Sequence, residues 1–164
     1  MTFTLRKAQS SDVALILQFI KELAEYEKLA HAVEATEARL RQTLFGPQPY
    51  AEVLIAEDAD GALGFALYFG NYSTFLAKPG IYLEDLFVRP AARGRGVGLE
   101  LIAQLAALVV ARDWGRLEWA VLNWNEPALG FYRSLGAHAQ DEWGVQRMTG
   151  EALQALAARA RLSV

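Results

Sequence analysis

Ten consecutive residues, Arg89-Pro90-Ala91-Ala92-Arg93-Gly94-Arg95-Gly96-Val97-Gly98, constrain this chain more than any other stretch. They stand between residues 81–88, which read as a strand, and residues 96–112, which carry a long apolar helical pattern. Glycine has no Cβ, so the backbone here can take positive φ and lie close against a ligand. The first turn of a helix leaves its N–H groups unpaired, and the helix dipole favours an anion there. A strand, a Gly-rich turn and a helix start in that order form a cradle for phosphate. Arg93 and Arg95 add charge within reach of such a group. The competing reading of the glycines is a tight turn between two packed elements. A P-loop does not fit, because Gly96 is followed by Val97-Gly98 and not by Lys-Ser or Lys-Thr. Gly94, Gly96 and Gly98 give G-x-G-x-G, which departs from the dinucleotide fingerprint G-x-G-x-x-G.

The rest of the composition narrows the chemistry. A length of 164 residues, with 53% hydrophobic and 21% charged, predicts one folded domain over 1–164 with a substantial core. There is no cysteine, which removes thiolate metal sites and a cysteine nucleophile. His31 and His138 are isolated and lack ligand spacing, so no metal is expected. A net charge of −3 offers no basic footprint for nucleic acid. No apolar run is long enough to span a membrane, and residues 1–7 lack the apolar core of a signal peptide. The expectation is a soluble cytoplasmic protein.

Taken in order, residues 2–7 alternate as a strand. Ser10 or Ser11 is placed to cap a helix with Asp12 in its first turn, and Val13, Ile16, Leu17, Ile20, Leu23 and Ala24 form its buried stripe. Its acidic end, Glu22, Glu25 and Glu27, reads as a solvated face or as part of a site. Residues 34–45 predict a second helix. Residues 51–57 and 62–70 predict a hairpin around Asp58-Ala59-Asp60-Gly61, and residues 71–80 a loop. Residues 116–122 predict a strand parallel to 81–88, joined to it by the 96–112 helix in a right-handed βαβ unit. Asn125 caps a short helix with Pro127 in its first turn, and Gly136 stops it. Residues 137–139 and 143–148 read as closing strands, and Thr149 caps a last helix with Leu153, Leu156 and Ala160. The four tryptophans, Trp114, Trp119, Trp124 and Trp143, read as packing residues. The sum is a mixed sheet with helices on both faces.

One strand is chemically odd. Strict alternation over 81–88 places Tyr82, Glu84, Leu86 and Val88 on one face and Leu83, Asp85 and Phe87 on the other. A carboxylate on each face of an apolar strand is costly unless it has a partner or reaches water. It marks either an edge strand with solvated acids or a strand end opening into a cleft, with a bulge re-aiming one side chain.

Arg93-x-x-Gly96-x-Gly98 resembles the acyl-CoA-binding motif of the GCN5-related N-acetyltransferases. Asn125-x-x-Ala128-x-x-Phe131-Tyr132-x-x-x-Gly136 resembles that superfamily's second acetyl-CoA motif. Residues 21–27 (KELAEYE), 82–88 (YLEDLFV) and 124–127 (WNEP) are similar to the diamine acetyltransferases, the spermidine/spermine and thialysine group. The resemblance implies an α/β fold with a mixed, largely antiparallel sheet, helices on both faces and one parallel strand pair splayed around an acetyl-CoA site. It implies a homodimer that transfers acetyl from acetyl-CoA to a primary amine of a small molecule by direct attack in a ternary complex. Carried onto this sequence, the backbone of Leu86, Phe87 and Val88 would pair with the pantetheine arm. Arg93, Gly94, Arg95, Gly96, Val97, Gly98 and Leu99 would hold the pyrophosphate. Asn125, Ala128 and Tyr132 would contact the cofactor, with Tyr132 as general acid. Glu27, Glu84 and Asp85 would face the cationic substrate, and Glu84 would help remove its proton. Asp141 or Glu142 could add to that acidic lining. The chemistry is coherent: an alkylamine is a nucleophile only when neutral, and a carboxylate both recruits the ammonium and accepts its proton.

Ser73 and Phe75 depart from the polyamine enzymes, which carry an aspartate and a tryptophan at the aligned positions. Loss of an acid there argues against a long polycation and leaves a shorter amine, a thialysine-like amino acid or an unrelated amine open. A non-catalytic acyl-CoA sensor and a protein-lysine acetyltransferase are the other functions open to this sequence.

Overall fold

In the computed structural model, residues 2–161 are described, and the chain divides into two compact units, Met1–Leu122 and Asn123–Val164. The first unit holds one five-stranded sheet in the order β1 (Thr4–Lys7), β2 (Glu52–Asp58), β3 (Gly61–Ser73), β4 (Lys78–Val88) and β5 (Leu117–Trp119). The first four strands pair antiparallel, and β5 joins β4 in parallel. The helices of this unit are α1 (Val13–Tyr26), α2 (Glu37–Phe45) and α3 (Val97–Ala111). The second unit contains α4 (Glu126–Ser134) and α5 (Gly150–Ala157).

Residues directly opposite across a ladder share a face, so the register sorts the sheet. Val53, Ile55, Phe65, Leu67 and Phe87 lie on one face. There they meet Val13, Ile16 and Phe19 of α1 and Leu40 and Leu44 of α2 in a single apolar cluster. Phe19 is fully buried; its ring stacks on Phe65 at 5.0 Å and meets Phe87 edge-on at 6.4 Å. Leu54, Ala66, Tyr68, Ile81 and Leu83 occupy the other face. Helix α3 packs against β2, β3 and β4 and buries Val97, Leu101, Ile102, Leu105 and Val109. The mixed sheet with helices on both faces, expected from the sequence, is the architecture found. Arg89, just after β4, fixes α1 to it. Its guanidinium grips Glu22 with two bonds of 3.0 and 2.9 Å, donates to the Ala62 carbonyl at 2.8 Å and lies 4.8 Å above the Phe19 ring.

Several boundaries move, each for a local reason. Residues 71–80 are not a loop. Asn71, Tyr72 and Ser73 pair with Gly80, Pro79 and Lys78, leaving only residues 74–77 as a turn. Ser73 is buried and its hydroxyl accepts the Leu76 N–H at 3.3 Å. The second helix starts at Glu37, because the Thr36 hydroxyl caps it by accepting from Arg39 N–H at 3.2 Å. Neither Ser10 nor Ser11 caps α1; both lie in a 3₁₀ turn whose Asp12 accepts the Gln9 N–H and binds Arg6. Strand β5 spans three residues, not 116–122. Residues 137–139 and 143–148 form no strand, since no neighbouring strand pairs with them. Accordingly Trp143 is 78% exposed, so it is not the packing residue expected. Helix α5 stops before Ala160.

Replacing Phe19 with Ala should destabilise the fold by about 3–5 kcal/mol. Replacing Phe75, at the hairpin tip and 96% exposed, with Ser should change stability by less than about 0.5 kcal/mol. Urea unfolding of both variants checks this; similar losses would contradict the placement of the core.

Candidate active site

The oddity of β4 resolves into a bulge. Pairing with β3 runs Phe65↔Phe87, Ala66↔Leu86 and Leu67↔Asp85, then shifts to Tyr68↔Leu83. Glu84 therefore opposes nothing: β4 has one residue more than β3 at this point. The shift overturns strict alternation. Asp85 stands on the face of Leu67 and Phe87, whereas Leu83 lies with Tyr68 on the other. Tyr82 also changes sides, touching Phe69 with ring centroids 5.3 Å apart. Glu84 itself is exposed. The bulge does re-aim a side chain, and Glu84 is at the same time a solvated acid on a stretch of β4 that β5 does not pair with.

The bulge brings two carboxylates up to a third. Helix α1 ends at Tyr26, and Glu27 follows as its C-cap. Lys28 turns the chain back in the left-handed region at φ 62°, and Leu29 N–H closes the turn on the Ala24 carbonyl at 2.8 Å. Glu27 is partly buried, and that burial raises its carboxyl pKa. Asp85 is pushed up to about 6, first by burial and then by the negative charges of Glu84 and Glu27. Three acids crowded in this way favour a proton or a cation among them. Tyr82 stands beside them. Its hydroxyl pKa is raised by burial and then by the charges of Glu84 and Glu118.

The other half of the site follows β4 directly. After a single 3₁₀ turn over Pro90–Ala92, Gly94 and Gly96 take φ of 76° and 82°, and Gly96 is the N-cap of α3. The first helical bond of α3 runs from Glu100 N–H to the Gly96 carbonyl at 3.0 Å, so the N–H groups of Val97, Gly98 and Leu99 precede the ladder. A Cβ on Gly94 would meet no atom within 4 Å. An open hollow of about 490 Å³ borders this turn, lined by Thr2, Phe3, Gly94, Arg95 and Gly96. The residues present suit an anionic group held by backbone N–H. The two arginine side chains are engaged elsewhere. Arg95 binds Asp58 at 2.7 Å, and Arg93 donates from Nε to the Val88 carbonyl at 3.1 Å. The hairpin turn at Asp58 thus anchors the cradle.

Between these halves the sheet opens. Strands β4 and β5 pair only over Ile81↔Leu117, Tyr82↔Glu118 and Leu83↔Trp119. Among the described residues no strand pairs with residues 84–88 of β4 on the β5 side, so this stretch is a strand edge, with the Val88 carbonyl taken by Arg93 Nε.

The second unit holds the remaining expected residues. The Asn125 carbonyl oxygen accepts Ala128 N–H at 3.4 Å and caps α4, with Pro127 in the first turn. Tyr132 lies in the last turns of α4 with its ring 5.5 Å from Phe131, and Gly136, at φ 86°, follows the helix. Asp141 and Glu142 are exposed in an irregular segment.

The structure therefore brings Glu27, Glu84 and Asp85 together and runs residues 86–88 straight into the 93–99 turn. Asn125, Ala128 and Tyr132 share one short helix and its cap. Sequence reasoning missed Tyr82 and Glu118. Only the parallel register places Glu118 beside Tyr82, and nothing in the sequence gives that register. Glu118 is held by Asn71 Nδ2 at 2.8 Å and by Arg116 at 2.9 Å. Among the described residues no group of three His, Cys, Asp or Glu is arranged to hold a metal ion.

A family model described as "Acetyltransferase (GNAT) family" matches residues 16–137 of this chain. The chain belongs to the acetyltransferase (GNAT) family. This acetyltransferase is 39% identical to the thialysine N-epsilon-acetyltransferase of Bos taurus, over 94% of its own length and 97% of that protein's. It is 33% identical to an L-ornithine N5-acetyltransferase of Arabidopsis thaliana, over 93% and 86% of the two chains. Among solved structures, an integron cassette protein from the mobile metagenome of V. cholerae superposes with a TM-score of 0.79 at 30% identity, covering 96% and 98%. The diamine and thialysine group that the sequence resembles is thus where this acetyltransferase falls.

A carboxyl whose folded pKa is raised binds its proton more tightly in the folded chain than in the unfolded one. Its stabilising share is complete at low pH and is lost as pH rises from about 4 to about 6. Asp85→Asn should therefore raise stability at pH 8 by on the order of 2 kcal/mol and change it little at pH 4. Denaturant midpoints at the two pH values decide this. An equal effect at both would mean that neither burial nor the neighbouring charges raise the Asp85 pKa.

Proposed function

We propose that this acetyltransferase moves an acetyl group from acetyl-CoA to a primary amine of a small substrate, a diamine, polyamine or thialysine-like amino acid, in a ternary complex. The observation that carries the reading is the carboxylate cluster of Glu27, Glu84 and Asp85, set at the start of a free strand edge that runs into an anion cradle. Burial and then the charges of Glu84 and Glu27 lift Asp85 to about 6, and an ammonium ion offsets both. A free edge suits a ligand with peptide-like amides, as a pantetheine arm has. The glycine turn and the α3 N-terminus suit its pyrophosphate.

In this reading Glu27 and Asp85 hold the ammonium. Glu84, exposed on the bulge, accepts a proton from the amine through water, which frees the nitrogen lone pair. Acetyl-CoA supplies the activated thioester acyl group. The N–H groups along 86–88 are available to the thioester oxygen as charge develops on it. Tyr132 gives its hydroxyl proton to the departing thiolate, and no covalent enzyme intermediate is required. The N–H groups of residues 93–99 hold the pyrophosphate, and Asn125 and Ala128 contact the cofactor.

The whole of 1–164 is taken as one catalytic domain, which the family match supports by running across the boundary between the two units. The thialysine and ornithine enzymes among its relatives favour a short amino-acid amine. So does Ser73, whose hydroxyl is spent on the hairpin turn where the polyamine enzymes carry an acid. The homodimer and the cytoplasmic setting complete the reading, as expected from the resembling group and from the sequence.

The test is free-thiol release from acetyl-CoA against thialysine, ornithine, lysine, putrescine, spermidine, spermine and simple alkylamines. A strong acceptor among the amino-acid amines is expected. Tyr132→Phe should then lower kcat about 100-fold while leaving acetyl-CoA affinity nearly unchanged. Equal kcat in the two forms would remove Tyr132 as proton donor, and silence across the panel with CoA still bound would favour a non-catalytic sensor.

A further inference from the structure

The Arg93 side chain reaches from the donor turn to the end of α1. Its guanidinium carbon lies 4.9 Å above the Tyr26 ring and 6.0 Å from the Phe87 ring, while Nε donates to the Val88 carbonyl at 3.1 Å. Tyr26 is the last residue of α1, and the next residue is Glu27. Beyond it the chain reverses at Lys28 in the left-handed region, a conformation that a lysine does not adopt by preference. The end of α1 is thus set from two sides, by its own reversed turn and by the arginine of the donor turn.

We propose that Arg93 is a positioning residue: a cationic strut that stacks on Tyr26, ties the 93–99 turn to the end of α1, and so makes the placement of Glu27 depend on the donor turn. This rests on the reading of Glu27 as amine-facing and of residues 93–99 as the pyrophosphate cradle. It assigns phosphate recognition to the backbone N–H groups of the turn and not to the Arg93 side chain. Arg95, bound to Asp58, completes a turn whose two arginines are both anchored to the protein.

The strut makes a distinctive forecast, because Tyr26 belongs to α1 and replacing it with Phe or with Leu separates its hydroxyl, a group able to donate to phosphate, from its ring. Tyr26→Leu should weaken CoA binding by about two- to fivefold and raise the KM for the amine by a similar factor with kcat unchanged. Tyr26→Phe, which keeps the ring, should match wild type in both. Arg93→Gln should weaken CoA binding as much as Tyr26→Leu does, the double variant should be no worse than either single one, and the salt dependence of binding should stay as in wild type. Calorimetric titration of CoA at two salt concentrations, with initial rates on the best amine, reads all of these. A weaker salt dependence in Arg93→Gln, with Tyr26→Leu silent, would make Arg93 a direct phosphate ligand and overturn the strut. If wild type bound no CoA at all, the functional reading would fail on its own. The strut would then be judged by urea unfolding, without ligand, of wild type, Tyr26→Leu, Arg93→Gln and the double variant. Non-additive losses for Tyr26→Leu and Arg93→Gln would uphold it, and additive losses would reject it.

Discussion

One extra residue in one strand governs the geometry of this protein. Without the bulge at Glu84, Asp85 would share its face with Leu83, under α3 and among Tyr68, Ala66 and Ile81. A carboxylate there would be desolvated with no compensating charge, at a cost of several kcal/mol. With the bulge, Asp85 lies on the face of α1, where the charge of Glu27 acts on it, and Glu84 is left exposed beside it. The same irregularity falls where β5 leaves β4, so the acidic cluster and the free strand edge begin at one point. A strand that paired on both sides through Val88 would have neither.

The frame around this point is built to keep it in place. Phe19 ties α1 to β3 and β4 through its ring contacts with Phe65 and Phe87, and Arg89 ties the same helix to the end of β4 through Glu22. The body of α1 is thereby fixed by the core, and its end, which carries Glu27, is set by the reversed turn at Lys28 and by Arg93 on Tyr26. On the other face α3 is pressed on the sheet by an apolar surface, which fixes its N-terminus at the mouth of the opened strands. Arg93 and Arg95 fasten the turn between them to Val88, Tyr26 and Asp58. A ligand that approaches the turn meets backbone N–H groups already oriented, which lowers the ordering cost of binding.

Much of this was legible in the sequence because the signals were local. Glycines at 94 and 96 announced the left-handed turn that they adopt, and Asn125 announced the cap that its side chain makes. The hairpin at Asp58–Gly61 and the apolar α3 followed from turn chemistry and period. What escaped was set by pairing between distant segments. The side-chain faces of β4 depend on its register against β3, which alternation alone reads wrongly once a bulge intervenes. The extension of β3 and β4 into residues expected as loop arises because each supplies the other's hydrogen bonds. The apolar residues of 143–148 mimic a strand, yet with no partner ladder they form none. The stack of Arg93 on Tyr26 joins residues far apart in the chain, and no short motif encodes it.

In the proposed function one strand, through its bulge and the turn that follows it, serves donor and acceptor together. Backbone amide NMR with CoA and then the best amine added in turn tests it most directly. CoA should move the resonances of residues 86–88 and 93–99, and the amine should then move those of Glu27, Glu84 and Asp85. CoA shifts confined to other segments, or an amine response that leaves Glu84 and Asp85 unmoved, would contradict it.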